Sequence, residues 1–485
     1  MPFTPLASAQ LTKLGWAATL GATALAAAIR LTDLDNSPHL VFDETYYVKD
    51  AWSLIAQGYE GDWADESNPG FNKGDTSGLS SKGSYVVHPP LGKFLIGLGM
   101  VYFGQASRFG WRVSAALAGI IGVFLICRLA WLLFASPVLT LMAGLFLATD
   151  GIHVSMSRVG LLDVFLSTMV LAGFFAIAKD RQSEVNRLEL ATKKWLPASL
   201  SPLVKTPGTA LRPWLITAGF LLGAACAIKW SGIYAIAVLG LFVVIHEFFL
   251  RRRLRLTYVL FDTYISSVAA FFQLVGTAFI TYALSWASWF AHPNAWGHKT
   301  NNAVVDLINY HKQVWTFHTG LSTPHSYSAS PLGWLIQLRP TSMDYESGIA
   351  CGDGESCARA VLALGNPLLW WIGALALTVL LVLAIAEPSW QRWILVLGYV
   401  ATYVPWFLYL ERTVFNFYTV VIAPFVALTT AWALWMLAKV RWGWIPSVII
   451  GAAILFCAAW FSPIWTGTPI LEDEWRRRMW ISSWI

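Results

Sequence analysis

Long apolar runs separated by short polar connections dominate the chain. A helix that crosses a membrane needs about 20 apolar residues, and the pattern predicts eleven such spans. They lie near residues 14–32, 111–134, 137–156, 163–179, 213–229, 232–250, 258–285, 366–386, 393–410, 416–438 and 444–462. The 37 residues at 214–250 are counted as two spans, because one straight helix of that length would measure about 55 Å against a bilayer core of about 30 Å. The turn between them is predicted at the sequence KWSG, residues 229–232.

Composition agrees with this pattern. Of the 485 residues, 56% are hydrophobic and 12% are charged, and the mean hydropathy is +0.57, which excludes an ordinary soluble domain. The predicted fold class is therefore an all-α polytopic membrane protein. The first apolar run lacks a small-residue cleavage site and is interpreted as a retained span. The net charge of +6 is spread over short connections, so membrane orientation explains it better than a nucleic-acid partner.

The basic connections predict the orientation. Residues 179–212 carry seven Lys or Arg, the sequence RRRLR begins at Arg251, and Lys439 and Arg441 fall on the same side. These connections are predicted to be cytoplasmic. The other side receives residues 33–90, with ten carboxylates against three lysines, and the long segment 286–365. The tail at 463–485 is predicted to be an external amphipathic helix, although the RRR at 476–478 runs against the charge rule.

The predicted organisation has four parts. Residues 1–285 form a transmembrane core with a catalytic first external loop at about 33–110. A long external loop at 286–365, a four-helix transmembrane region at 366–462 and the tail at 463–485 follow.

Two adjacent acids, Asp43 and Glu44, follow the first span and begin an amphipathic stretch typical of a surface helix. Such acids are often solvated charges at a helix N-terminus. A carboxylate held at an apolar boundary can instead act as a base toward a hydroxyl. Helical neighbours point about 100° apart, so we assign the base role to Asp43 and an orienting or structural role to Glu44.

Further polar motifs fall on the same predicted side. HPPLGK, with His88 and Pro89, predicts a second surface helix whose loop His88 holds by hydrogen bonds. In ATDGIHVSMSRVGLLD, ionisable side chains lie at or within the outer membrane boundary, where they are costly and usually functional; they are Asp150, His153, Arg158 and Asp163. Arg158 could pair with Asp163 or face an anionic headgroup.

Two more cations, Lys229 and Arg412, are predicted at outer helix ends, each followed by aromatic residues. Snorkelling explains one such cation, whereas a lipid-phosphate site explains why they converge with Arg158.

Histidines recur at His311, His318 and His325, but a proline precedes the last, so packing in a substrate loop is favoured over zinc. Cys351 and Cys357 lie in a polar loop and predict a small disulfide if that loop faces an oxidising compartment. The other cysteines, Cys127, Cys226 and Cys457, are expected to be free and buried.

In this ordered set of motifs the chain resembles the protein O-mannosyltransferases, membrane glycosyltransferases of the GT-C type that use a lipid-phosphate sugar donor. The resemblance runs from residue 43 to 418 through DETYYVKDAW, HPPLGK, DGIHVSMSRVGLLD, KWSG, HSYSASPLGWLIQLRP, GNPLLWW and ERTVFNFY. Eukaryotic members carry a β-trefoil (MIR) domain in the long external loop, which has only 80 residues here, so the chain looks like the bacterial branch. Because many relatives have a histidine before the tyrosine of VFNFY, Asn416 receives no catalytic role.

The resemblance implies transfer of mannose from polyprenyl-phosphate mannose to Ser or Thr hydroxyls of secreted or membrane proteins, with an external active site in the cell membrane. By position, Asp43 matches the family's base. The expected roles are Asp43 and Glu44 at the catalytic centre; Arg158, Lys229 and Arg412 at the donor phosphate; and His88, Pro89, Asp150, His153, Asp163, His325 and Tyr418 in substrate binding or structure.

The mechanism expected from these residues is a single displacement with inversion. It needs a base for the acceptor hydroxyl and cations for the leaving phosphate. No metal is required, although Asp43 and Asp163 could share a divalent cation. The expected partners are the donor lipid, Ser/Thr-rich polypeptides and membrane lipid, with the Sec translocon as a candidate.

Three alternatives stay open at this stage. A related GT-C transferase could use a lipid, glycan or Asn acceptor. A secondary transporter would place its polar site near the membrane midplane and often show repeated halves, and no internal repeat is visible. A flippase or purely structural membrane protein would tolerate alanine in the external motifs.

Overall fold

The computed structural model describes residues 8–195, 211–256, 258–352 and 355–485, and they form a helical bundle. The helices are α1 Ser8–Leu31, α2 Glu44–Gln57, α3 Asn68–Phe71, α4 Leu91–Phe103, α5 Arg108–Phe134, α6 Pro137–Ala148, α7 Gly151–Met156, α8 Asp163–Trp195, α9 Pro213–Ile228, α10 Gly232–Arg253, α11 Val259–Phe271, α12 Thr277–Ser285, α13 Ala287–Ala291, α14 Ala303–Gly320, α15 Pro367–Ala386, α16 Trp390–Thr402, α17 Ala423–Leu437, α18 Trp444–Phe461, α19 Pro463–Thr466 and α20 Glu472–Arg477. A π-helical turn at Phe272–Gly276 joins α11 to α12.

Six of the described helices are long and apolar enough to cross a membrane by length and composition. They are Ser8–Leu31, Arg108–Phe134, Gly232–Arg253, Val259–Ser285, Pro367–Ala386 and Trp444–Phe461. Each predicted span contains at least one helix, and the predicted all-α membrane class is confirmed. The turn at residues 229–232 is also confirmed, because α9 ends at Ile228 and α10 begins at Gly232. The count of eleven crossings stays a prediction.

Three predicted spans are interrupted. The span at 137–156 ends as α6 at Ala148, and Asp150 caps the separate helix α7. The span at 393–410 contains most of α16, which ends at Thr402, and then a 3₁₀ turn at Val404–Leu408. The span at 416–438 begins with a 3₁₀ turn at Asn416–Val421 before α17. The prediction of continuous helices at these positions was therefore wrong.

Helix α8 continues well beyond its predicted end at residue 179. Arg212, just before α9, forms ion pairs with Asp180 and Glu184 on α8 and with Glu247 on α10. Because these charges are buried together, they fasten the middle of α8 to the start of α9 and the last turns of α10. Residues 196–210 of the basic connection predicted to be cytoplasmic lie outside the described residues.

Close packing of α9 against α12 forms one wall of the site described below. A Cβ at Gly219 would lie 2.5 Å from the Leu274 carbonyl oxygen, and one at Gly223 would lie 2.5 Å from that of Ala278. Small residues at such contacts let helix backbones approach. The cluster of buried apolar side chains that forms most of the core runs from α1 through α5, α6, α8 and α17.

Five short strands lie in the loops. Strand β1 (Gly61–Trp63) pairs with β2 (Leu79–Gly83), and β3 (Thr341–Ala350) pairs with β4 (Ser356–Ala363), all antiparallel. Strand β5 (Ile470–Leu471) adds the tail to β4, so residues 463–485 pack on the hairpin. Cys351 and Cys357 form a disulfide near the tip of that hairpin, and the other three cysteines are free and buried.

Candidate functional site

The two adjacent acids have opposite environments. Glu44 is fully buried and accepts two hydrogen bonds on each carboxylate oxygen. Arg112 Nε and Gly160 N donate to Oε1 at 2.8 and 2.7 Å, and Arg112 Nη2 and Val41 N donate to Oε2 at 2.8 and 2.9 Å. Glu44 therefore fastens the start of α2 to α5 and to the loop before α8, which is a structural role.

Asp43 stays available for chemistry because its neighbour takes the structural contacts. Its side chain makes no capping hydrogen bond to α2. The preceding Phe42 has φ +47°, a left-handed conformation that is uncommon for a bulky residue, and it turns the chain between the Glu44 anchor and the site. Burial raises the pKa of Asp43 to about 6, with Lys229 lowering it and Asp163 adding to the rise. Asp43 therefore lies within electrostatic reach of both groups and is suited to accept a proton near neutral pH.

Lys229 and Asp163 form a paired charge at two helix ends. Lys229 follows the last residue of α9, and its Nζ lies 2.9 and 2.8 Å from the two oxygens of Asp163 at the start of α8. The ammonium also lies 5.2 Å from the centre of the Tyr418 ring. The suggested pairing of Asp163 with Arg158 was wrong, because Lys229 takes that position.

Arg412 differs from Lys229 in its charge balance. No carboxylate lies within ion-pair distance of Arg412 in the part of the chain that the structure describes, and its Nε is buried without a hydrogen-bond partner there. Its Nη2 lies 3.3 Å from His318 Nδ1, and its guanidinium lies 5.9 Å from the centre of the Trp406 ring. An uncompensated, partly desolvated guanidinium is suited to bind an anion.

Lys229, Asp163 and Arg412 line one end of a cavity of about 550 Å³, and Asp43 lies within electrostatic reach of Lys229 and Asp163 at that end. Its polar end is lined by His88, Asp163, Lys229, His318, Arg412 and Tyr418, and the rest lies between α10, α12 and α16 with mostly apolar walls. A second apolar groove of about 810 Å³ runs between α12 and α14 and shares Trp230, Tyr282 and His311 with the first. The arrangement offers a charged chamber that continues into an apolar passage.

His88 lies in this chamber. Its ring stacks on His318 with centroids 5.2 Å apart, and its Nδ1 is buried with no partner in the described ranges. The loop is held instead by Lys93, whose Nζ donates to the His88 carbonyl oxygen at 3.2 Å. The expectation that the His88 side chain holds the loop by hydrogen bonds was therefore wrong. Pro89 precedes Pro90, which caps α4, so the predicted helix is present.

Arg158 does not reach this chamber. Its guanidinium donates to the carbonyl oxygens of Ile29, Arg30, Thr32, Asp33 and Thr466 at 2.6 to 3.3 Å. The first four lie at and just beyond the end of α1, where helix carbonyls lack partners. The geometry gives Arg158 a structural role, and the expectation of a phosphate contact is corrected.

Asp150 and His153 are also buried away from the cavity. Asp150 accepts hydrogen bonds from Asn366 N and Trp370 Nε1, both at 2.9 Å, and so joins α7 to α15. Arg30 Nη2 lies 2.7 Å from His153 Nδ1. Asp150 and His153 therefore have structural roles, which is one of the two roles expected for them from the sequence.

His325 is exposed at the rim. Its ring lies 5.0 Å from that of Phe415 and 6.4 Å from that of Phe42, beside Asp43. His311 and His318 share one face of α14, as expected from their spacing, and His311 Nε2 accepts from the Tyr282 hydroxyl while its Nδ1 lies 2.8 Å from the Leu307 carbonyl oxygen. Within the described ranges, no group of three or more His, Cys, Asp or Glu side chains is placed to hold a metal ion.

Several residues at or behind the site were not found from the sequence. Arg112 supports Glu44, and Tyr234 and Tyr409 bond to each other at 2.7 Å on the cavity wall. Arg112 lies near the start of a long apolar helix, where a lone arginine was an available signal of a buried partner. The tyrosines gave no signal beyond the general enrichment of aromatic residues near membrane surfaces.

The helical bundle and the charged chamber are those expected of a membrane glycosyltransferase of the GT-C type. The chain belongs to the dolichyl-phosphate-mannose-protein mannosyltransferase family: that family model matches residues 21–291, and the model of the C-terminal four TMM region of protein-O-mannosyltransferase matches residues 303–484. The family resemblance noted in the sequence is thus confirmed, and with it the enzyme class.

Similar proteins agree with this assignment. The polyprenol-phosphate-mannose–protein mannosyltransferase of Mycolicibacterium smegmatis strain MKD8 is 30% identical over 99% of this chain and 94% of its own. That of Corynebacterium glutamicum is 30% identical over 92% and 88%. The S. cerevisiae protein O-mannosyltransferase Pmt1-Pmt2 complex bound to the sugar donor matches with a TM-score of 0.74 and 16% identity, covering 100% of this chain and 96% of that chain. The structural match supports the fold.

Proposed function

We propose that the chain transfers mannose from a polyprenyl-phosphate mannose to Ser or Thr hydroxyls of proteins, by one displacement with inversion at the anomeric carbon. The observation that carries this proposal is the chamber itself. An uncompensated guanidinium and the Lys229–Asp163 pair line one space, and the available carboxylate of Asp43 lies within electrostatic reach of that pair.

The cations stabilise the charge that develops on the leaving phosphate. Polyprenyl phosphate gains negative charge as the sugar departs, and preorganised cations in a water-poor cavity can contribute several kcal/mol to that step. Arg412 has its full charge available to the phosphate, whereas Lys229 is already balanced by Asp163. We therefore assign Arg412 the main phosphate contact and Lys229 a supporting one.

Asp43 acts as the base that activates the acceptor hydroxyl. With a pKa of about 6, its carboxylate is largely ionised at neutral pH and accepts the hydroxyl proton as the oxygen attacks. A positioned base contributes about 10² to 10⁴-fold. Attack from the side opposite the phosphate inverts the anomeric carbon, so a β-linked donor yields an α-mannoside.

The apolar passage accommodates the lipid. Its walls on α10, α12 and α16 continue from the charged chamber into the groove between α12 and α14. An isoprenoid chain placed there keeps its phosphate at Arg412. The scheme needs no metal, since the ammonium of Lys229 already serves as counter-ion to Asp163.

The proposal also includes the membrane side. The chamber lies at the helix ends away from the basic connections, which we assign to the extracytoplasmic face of the cell membrane by the positive-inside rule. Acceptor chains have to be delivered to that same face, so the Sec translocon stays a candidate partner.

A transfer assay tests the proposal. The purified protein receives polyprenyl-phosphate mannose with a labelled sugar and a Ser/Thr-rich peptide; the matched control peptide has every Ser and Thr replaced by Ala. We expect label only on the first peptide, released by β-elimination and sensitive to α-mannosidase. Label that resists β-elimination, or that is found on a lipid, contradicts the proposed acceptor; sensitivity to β-mannosidase contradicts inversion.

A further inference from the structure

The contact between Arg412 and His318 fixes the protonation state of the histidine. His318 Nε2 lies 2.9 Å from the carbonyl oxygen of Val87, which can only accept, so Nε2 carries a proton. His318 Nδ1 lies 3.3 Å from Arg412 Nη2, which can only donate. Nδ1 is therefore an unprotonated acceptor, and His318 is neutral as long as it holds Arg412.

A phosphate bound at Arg412 changes this arrangement. The guanidinium prefers an anionic oxygen to a neutral imidazole, because charge-assisted hydrogen bonds are the stronger ones. Once Arg412 turns to the phosphate, the Nδ1 lone pair of His318 faces the same chamber without a donor. A lone pair and a phosphate oxygen repel each other, whereas a protonated Nδ1 would donate to that oxygen.

We propose that His318 is a second ligand of the donor phosphate, and that it takes up a proton when the phosphate displaces it from Arg412. The proposal rests on the proposed function only in taking a polyprenyl phosphodiester as the ligand. His318 becomes an imidazolium beside the phosphate, held in place by the Val87 carbonyl. The neutral histidine thus keeps Arg412 in position before the donor arrives.

The charged groups around His318 determine the direction of the effect. They are Arg412, Lys229 with its partner Asp163, and the stacked His88. Burial lowers the pKa of His318 to about 4; the Val87 carbonyl opposes this, while Arg412 and Lys229 add to it. In the protein without donor, His318 is therefore neutral at any pH near 7.

An anion within about 4 Å raises such a pKa by about one to three units, which moves His318 from about 4 into the range of about 5 to 7. Binding then takes up roughly half a proton at ~pH 6 and almost none at ~pH 8. Because the bound state holds the extra proton, donor affinity is highest at low pH and is lost as pH rises. The dissociation constant is expected to be about tenfold larger at ~pH 8 than at ~pH 5.

The same proton assists the transfer step. The bond between the anomeric carbon and the phosphate oxygen breaks while the acceptor oxygen bonds to that carbon, and the hydroxyl proton goes to Asp43. The phosphate leaves as a monoester with one more negative charge than the diester had. The imidazolium of His318 lies beside that developing charge, so its hydrogen bond strengthens as the bond breaks.

Calorimetric titration tests the proposal. The probe is a short-chain polyprenyl-phosphate mannose, a diester whose own charge does not change near neutral pH. The protein carries Asp43→Asn in every arm, which prevents turnover and removes proton exchange at Asp43. Titration in two buffers of different ionisation enthalpy gives the protons taken up per donor bound; we expect roughly half a proton at ~pH 6.

Four variants in that background complete the test. Adding His318→Asn or His318→Gln should abolish proton uptake and flatten the pH dependence of the dissociation constant. Adding His88→Asn should preserve the uptake, as should His298→Asn, which alters a histidine stacked on Trp289. Uptake that persists in both His318 variants, or that disappears with His88→Asn, overturns the proposal. If the Asp43→Asn protein binds donor without taking up a proton, the proposal for His318 is overturned but the proposed function is not. If the protein binds no phosphodiester, the proposed function itself is contradicted.

Discussion

Glu44→Gln tests the division of labour between the two adjacent acids. Each oxygen of the Glu44 carboxylate accepts two donors, one of them from Arg112. Wherever the amide nitrogen of glutamine points, its hydrogens meet two N–H groups, and the buried guanidinium of Arg112 loses its counter-charge. Breaking a buried ion pair by removing one partner costs about 3–5 kcal/mol, which is a large fraction of typical protein stability.

The assay is thermal unfolding in detergent, followed by the fluorescence of the 27 tryptophans. Glu44→Gln should lower the unfolding midpoint clearly. The matched control is Asp43→Asn, whose side chain caps nothing in α2 and which should lower the unfolding midpoint much less than Glu44→Gln does. A double-mutant cycle that combines Glu44→Gln with Arg112→Gln should show a coupling free energy of about 0.5–3 kcal/mol between the two residues. Equal midpoints for wild type and Glu44→Gln, or equal losses at Asp43 and Glu44, would refute the reasoning.

Three further predictions concern the charges. Arg412→Ala removes a charge-assisted contact of about 1.5–3 kcal/mol, so the dissociation constant for the donor should rise about 10- to 100-fold. The KM for the acceptor should change little. An unchanged donor affinity would contradict the assignment of Arg412 to the phosphate. Arg158→Ala should lower the unfolding midpoint and leave donor affinity unchanged, and the reverse result would restore Arg158 to the phosphate site. The rate of transfer should fall as pH drops through about 6, because protonated Asp43 cannot accept a proton. Lys229→Gln should shift the midpoint of this fall in rate to higher pH, because Lys229 lowers the pKa of Asp43. An unchanged midpoint would show that Lys229 does not act on the pKa of Asp43.

Hydropathy predicted the fold class because burial in lipid demands long apolar runs. It missed the interruption at Asp150, because the partners that hold this carboxylate in its buried position are distant in sequence. Asp150 begins α7 and accepts from Asn366 and Trp370, more than 200 residues away. The sequence TDG offered a local signal, since Asp is a favoured N-cap.

Only part of the candidate site was predicted, because its side chains also depend on partners that are distant in sequence. Arg158 and Arg412 look alike in the sequence, as single cations at outer helix ends. They differ in what meets them in space: backbone carbonyls from residues 29–33 and Thr466 occupy Arg158, whereas Arg412 meets a neutral histidine. No periodicity or composition encodes that difference, because both sets of partners come together only when the chain folds.

Single-turnover transfer by Asp43→Asn tests the central claim most directly, with the donor bound beforehand and a Ser/Thr-rich peptide added. If Asp43 accepts the hydroxyl proton across the sugar from Arg412 and Lys229, the variant binds donor with wild-type affinity and its transfer rate falls by about 10² or more. A variant that transfers mannose at the wild-type rate would contradict the account.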